Sequence, residues 1–157
     1  MASAWFLAVA GLTGDSTAVG HENALEVGDW SWGLSNTSSP GSGSGSGSGR
    51  PVLDDVVVTL ASAAGALQLV GMCATGRHAQ TATLTGVRSG GGQPFTFLRY
   101  ELQRVTVISV AQVATEDGSV SHRVALRFGG MRAMFTPQTS SGAPGTPVRV
   151  DVGTVTP

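Results

Sequence analysis

The sequence contains no lysine; its nine basic residues are all arginine, set against ten acids for a formal net charge of −1. A chain this balanced, with charged residues at only 12%, lacks the electrostatic footprint of a nucleic-acid binder. Without lysine there is no phosphate-binding G-x-x-x-x-G-K-[ST] loop. The single cysteine, Cys73, excludes an internal disulfide and a cysteine-cluster metal site. No apolar run approaches membrane-spanning length. The short run Ala4-Trp5-Phe6-Leu7-Ala8-Val9-Ala10-Gly11 ends in an A-x-A pattern, but no lysine or arginine precedes Arg50. It therefore lacks the basic flank of a secretory leader and reads as a first β-strand, with no signal peptide.

Glycine (23) and proline (7) are plentiful, and most apolar residues are Val, Ala and Leu, a composition of short strands and turns rather than long helices. At 157 residues the chain fits one domain, residues 1–157, and needs neither disulfide nor metal to hold its core. Residues 5–10 form a buried strand. Residues 25–34 alternate, with Trp30, Trp32 and Leu34 on one face and Ser31, Gly33 and Ser35 on the other. Residues 52–61 form a strand with Val56 and Val58 on one face and Asp55, Val57 and Thr59 on the other. Ser62 is an N-cap for the one convincing helix, residues 63–75. Its stripe is Ala63, Leu67, Val70 and Ala74, and Gly76 is its left-handed terminator.

Beyond the helix, residues 81–87 form a strand, and residues 95–113 form one long strand or two with a bend. Glu116-Asp117-Gly118-Ser119 is a hairpin turn. Residues 120–135 return with a bulge at Gly129-Gly130, and residues 148–155 close the chain. With about seven or eight strands and one helix, the fold class is mainly β: a two-sheet barrel or sandwich with a flanking helix.

The least ordinary stretch is Thr37-Ser38-Ser39-Pro40-Gly41-Ser42-Gly43-Ser44-Gly45-Ser46-Gly47-Ser48-Gly49-Arg50-Pro51, which has the look of an interdomain linker. Only two strands precede it, too few to fold independently, so it is a long loop inside one fold. It is not a dinucleotide fingerprint either. Its glycines have period two, and G-x-G-x-x-G started from Gly41 or Gly45 ends on Ser46 or Arg50.

Nothing in the sequence marks a catalytic or cofactor site. His21, His78 and His122 lack metal-ligand spacing and read as surface or loop residues. Asp54 and Asp55 are adjacent, so alternation sends them to opposite faces, as for a solvated strand edge or an ion pair rather than acid–base work. Cys73 reads as a small packing residue, and no G-x-S-x-G elbow occurs. Trp30 and Trp32 read as core. An aromatic platform for a carbohydrate or peptide, on a monomeric β-sandwich binding module, is the alternative.

The order of features resembles the Hcp (haemolysin-coregulated protein) family of type VI secretion tube proteins. The resemblance rests on Trp30-Ser31-Trp32-Gly33-Leu34-Ser35, a Gly/Ser-rich loop, then Val52-Leu53-Asp54-Asp55-Val56-Val57-Val58-Thr59. It extends to Leu67, Met72, Cys73 and Gly76-Arg77-His78 in and after the helix, to Gly14-Asp15-Ser16 and His21 upstream, and to Phe135 to Gln138 downstream. It covers nearly the whole chain.

The resemblance implies a homohexameric ring of two-sheet barrels, rings stacked into a hollow tube, and small effector proteins carried in the lumen. It implies sheath and spike proteins as further partners, no cofactor, no enzymatic activity and no membrane insertion. It also implies synthesis in the bacterial cytoplasm and export as a tube. On this reading residues 37–51 form the ring-stacking loop, and Ser31 and Gly33, opposite the tryptophans, face the lumen. The regular Gly/Ser repeat and the lack of lysine depart from the family pattern, which leaves open a tube used outside a standard secretion machine.

Overall fold

Val56, Val58 and Leu60 point the same way from a five-residue strand and are fully buried, while Val57 and Thr59 between them stay half exposed. This period of two, repeated along the chain, builds the fold. In a computed structural model, described over residues 2–37, 50–60, 63–89 and 93–156, the elements follow the order β1 (Ala2–Val9), β2 (Leu25–Ser31), β3 (Leu34–Asn36), β4 (Pro51–Leu53), β5 (Val56–Leu60), α1 (Ala63–Thr75), β6 (His78–Ser89), β7 (Phe95–Ala114), β8 (Val120–Arg127), β9 (Gly130–Phe135) and β10 (Val148–Gly153). The helix and the mainly β character match the sequence reading.

Six strands close into a barrel in the order β7-β6-β1-β2-β5-β8, with β8 pairing back onto β7. All neighbours are antiparallel. Leu7, Leu25, Val58, Leu84, Leu102 and Leu126 are fully buried within one continuous core cluster. At roughly 25 cal/mol per Å² of apolar surface, each such side chain contributes about 1.5–3 kcal/mol of gross burial energy. Strands β9 and β10 continue the sheet outward from β7 as a two-stranded wing.

The long hairpin formed by β7 with β8 and β9 organises the rest. β8 and β9 oppose β7 in one unbroken register, from Leu98↔Phe135 and Gln103↔Gly130 to Thr106↔Arg127. At the point where β7 exchanges β9 for β8, Arg104 takes a left-handed backbone (φ 55°), and Gly129 N–H donates to the Gln103 carbonyl at 2.9 Å. The bulge expected at Gly129-Gly130 is thus a corner that sends β8 into the barrel and β9 into the wing.

Three expectations need correction. The strand expected over residues 25–34 stops at Ser31, and that over 52–61 is broken at Asp54-Asp55. The short pieces beyond each break form their own antiparallel ladder, Leu34↔Leu53 to Asn36↔Pro51, so Leu34 does not share a strand with Trp30. A mutual ladder satisfies backbone groups that a continuous strand would have taken into the barrel. The helix buries Ala66, Leu69 and Met72 rather than the stripe Ala63, Leu67, Val70 and Ala74; Leu67 is 60% exposed. Apolar residues run all round α1, so composition distinguished no face, and packing onto β7 and β8 chose it. Gly76 does terminate the helix (φ 69°), with Arg77 N–H donating to the Met72 carbonyl at 3.1 Å, the closing bond of a Schellman motif. The N-cap assigned to Ser62 lies outside the described residues.

Candidate functional site

Aromatic residues at one end of the barrel link into a chain. Phe135 contacts Phe97 (6.3 Å between ring centroids), Phe97 contacts Trp5 (5.3 Å), and Trp5 contacts Trp30 (5.3 Å). Trp30 meets Tyr100 edge-on (5.5 Å), Tyr100 meets Trp32 (6.0 Å), and Trp32 meets Phe128 (6.3 Å). Each such pair adds about 0.5–1.5 kcal/mol beyond its area. Trp30 and Trp32 are half-buried and packed against the core, so their rings are engaged with neighbours rather than laid open as a stacking platform. Burial between them pushes the Tyr100 phenol above its ordinary value.

Ser31 ends β2 opposite Val57 and is exposed, on the side away from the half-buried Trp30. Ser31 and Gly33 come together with Trp32, Asp54, Asp55 and Arg127 around an open depression of about 650 Å³. A β-carbon on Gly33 would come within 2.6 Å of the Asp54 carboxylate oxygen, which would have to turn aside, and Asp54 N–H donates to the Gly33 carbonyl at 3.0 Å. Asp55 pairs with Arg127 at 3.2 Å, the ion-pair alternative weighed for the adjacent carboxylates. Of the loop spanning residues 37–51, the two ends are tied: Thr37 N–H donates to the Arg50 carbonyl at 3.3 Å, and Arg50 N–H to Thr37 Oγ1 at 3.2 Å. Ser38 to Gly49, the core of that assignment, lie outside the described residues.

The upstream residues singled out in sequence have structural duties. A β-carbon on Gly14 would collide with the Ala24 backbone, and Ser16 is buried. His21 stacks on Phe6 at 4.4 Å with nearly parallel rings. His78 Nδ1 lies 2.8 Å from Thr106 Oγ1. His122 is not a surface residue: it is 2% exposed and bonded to Gln112 at 3.0 Å. Its parity with Val124 and Leu126 on β8 turns it inward, a consequence of register that the loop reading overlooked. Among the described residues, no three His, Cys, Asp or Glu side chains converge on a point that could hold a metal ion.

Two surfaces were not singled out in sequence. On the wing, Val148 (61% exposed), Val150 (55%) and Phe135 (42%) form an open apolar stripe, while Arg99, Arg132 and Arg149 occupy the opposite face. At the far end of the long hairpin, every residue from Ala111 to Val120 is exposed, Val113 and Val120 among them. The alternation of Val148-Arg149-Val150-Asp151-Val152 signals an amphipathic strand. It does not signal that the apolar side lies beyond the barrel with nothing over it among the described residues.

A closed antiparallel barrel, a flanking helix and the β3–β4 ladder form the setting for the sequence match. Residues 6–135 match the family described as type VI secretion system effector, Hcp. The chain belongs to the Hcp family. Members are secreted, structural tube proteins of the type VI secretion system.

Solved Hcp structures share the fold. Hcp1 from Salmonella typhimurium superposes with a TM-score of 0.80 at 23% identity, over 98% of this chain and 95% of that one. A type six secretion system protein gives 0.85 at 21%, over 94% and 92%. A type VI secretion system effector from Yersinia pestis gives 0.74 at 15%, over 96% and 99%. No functionally curated protein matches the chain by sequence. Among the described residues, no helix is long and apolar enough to cross a membrane.

Proposed function

We propose that this Hcp chain is a single-domain tube subunit whose copies close into hexameric rings, and that the rings stack into a hollow tube carrying small effector proteins. The observation that carries this reading is the wing: Val148, Val150 and Phe135 are open to solvent on a sheet whose last strand, β10, has one edge unpaired among the described residues. Such an edge and stripe invite pairing with another chain, and a closed ring of identical subunits leaves no edge over.

In this reading residues 37–51, held at their base by Thr37 and Arg50, reach the next ring. Ordering a Gly/Ser loop costs about 1–2 kcal/mol per residue, which keeps stacking reversible. Ser31 and Gly33 present a small, non-adhesive surface to the lumen. Sheath, spike and effector proteins are the further partners, and the role is structural rather than enzymatic.

Negative-stain microscopy of the purified chain tests the reading directly. Rings and tubes are expected, and particles of single-subunit size at high concentration would overturn it. Deleting residues 41–48 is expected to leave rings and shorten tubes. Ser31→Trp is expected to block cargo loading while rings still form.

A further inference from the structure

The long hairpin carries opposite charges at its two ends. At the wing end, Arg99, Arg132 and Arg149 line an open depression of about 260 Å³ together with Glu101 and Met134. Cross-strand register sets Arg149, Met134 and Arg99 in one row, and Asp151, Arg132 and Glu101 in the next. Two of the three guanidinium groups are answered inside the chain: Arg99 by Glu101 at 2.9 Å and Arg132 by Asp151 at 3.3 Å. Among the described residues Arg149 has no ion-pair partner. The depression therefore keeps an unanswered positive charge, in a space of side-chain size.

The other end is the turn joining β7 to β8. Asp117 faces back into the turn and accepts from Thr115 Oγ1, from Ser119 N–H at 3.0 Å and from Ser119 Oγ at 2.8 Å. That leaves Glu116 as the free carboxylate of a fixed tip, with no ion-pair partner among the described residues. Beneath it the ribbon is exposed on both faces, Val113 and Val120 included. A two-stranded ribbon is marginal in water unless something packs on it.

A single molecule cannot bring these two ends together. Arg99 and Ala114 stand at opposite ends of β7, about 50 Å apart along the strand at roughly 3.3 Å per residue. The pairing runs unbroken through the corner at Arg104, and after a single bulge between Val107 and Ser109 β8 stays paired with β7 as far as Ala114, so the strand does not fold back on itself. A contact between them is therefore made between copies.

We propose that Glu116 at the tip of one subunit enters the arginine depression of a second copy and pairs with Arg149, while Val113 and Val120 are covered along the way. The two surfaces are different patches of the same chain, so the contact is head-to-tail, the type that builds rings or open filaments. It rests on the tube-subunit reading and adds to it a specific pair of surfaces and a charge code.

The test uses the full chain as Glu116→Arg, Arg149→Glu and the double charge swap, each checked for folding by circular dichroism, with assembly followed by light scattering and negative stain. Each single variant is expected to raise the concentration at half-assembly at least tenfold, and the double swap to return it to within about threefold of the parent chain. Single variants that assemble like the parent, or a double swap no better than either single, would overturn the contact while leaving the tube reading intact. A parent chain that never assembles removes both. If a charge reversal fails to fold, Glu116→Gln and Arg149→Gln must each raise the half-assembly concentration, or the contact is rejected.

Discussion

Gly86 lies directly opposite Trp5 across the β1–β6 ladder, and the indole of Trp5 roofs its Cα, with the Phe97 ring on the other flank. A β-carbon at position 86 would collide with Trp5 and stand 3.0 Å from Phe97. Gly86→Ala is therefore expected to destabilise the fold by about 1–3 kcal/mol, the usual cost of overfilling a packed site. Urea denaturation under monomeric conditions reads this out. Pairing Gly86→Ala with Trp5→Leu is expected to cost less than the sum of the two single changes; strict additivity would show that the collision is not the cause.

Trp30 holds the middle of the aromatic chain, edge-on to both Trp5 and Tyr100. Trp30→Ala is expected to cost about 3 kcal/mol, the lower end of the range for large aromatic truncations because the ring is half-buried. Trp30→Phe keeps part of both contacts and is expected to cost less than half as much. Loss of binding to a carbohydrate or peptide, with stability untouched in either variant, would speak for the binding-module alternative.

Much of this architecture was legible because strands declare themselves locally. The alternation of Val56 to Leu60, the turn at Glu116 to Ser119 and the helix ended by Gly76 each need only a few neighbouring residues to specify them. What escaped depends on partners far away in sequence. Whether Leu67 or Leu69 faces the barrel is decided by where β7 and β8 lie, and Leu34 leaves its strand because Leu53 waits to pair with it. The inward turn of His122 follows from register on β8. The wing stripe and the arginine depression assemble from β7, β9 and β10, three strands that only long-range pairing brings side by side. Ser31 and Gly33 do lie around one depression, but it is shared with Trp32, Asp54, Asp55 and Arg127, charged and bulky neighbours that the Trp-Ser-Trp-Gly pattern does not announce.

Arg104 shows how backbone strain and a side-chain tie can share one residue. Its left-handed φ of 55° disfavours any residue but glycine. Its guanidinium meanwhile covers Gly129 and donates to the Thr154 carbonyl, clamping the end of the chain onto the corner. Arg104→Ala loses the clamp and keeps the strain, whereas Arg104→Gly loses the clamp and releases it. The glycine variant is expected to be the more stable of the two by about 1 kcal/mol, as measured by thermal or urea unfolding. Gly129→Ala places a β-carbon about 2.5 Å from Arg104 Nε and is expected to displace the clamp, seen as faster amide exchange at Thr154 to Thr156.

The tip of the β7–β8 hairpin carries a titration that can be followed in isolation. The Asp117 carboxyl is held down to about 2 from an ordinary 3.8, first by the Thr115 hydroxyl and then by the Ser119 amide and hydroxyl. All three donate to the ionised form, so the folded turn binds its proton less readily than the unfolded chain does. The stability these bonds lend the turn is therefore complete above about pH 4 and is lost as pH falls through about 2. Carboxyl-detected NMR is expected to show Asp117 titrating near pH 2, with protection of the Ser119 amide falling in step. In Asp117→Asn, which keeps an acceptor oxygen but no charge, Ser119 protection is expected to stay flat from pH 4 to pH 2. An Asp117 carboxyl that titrates near 4 would mean that the turn leaves it solvated, and the fixed tip on which Glu116 depends would go with it.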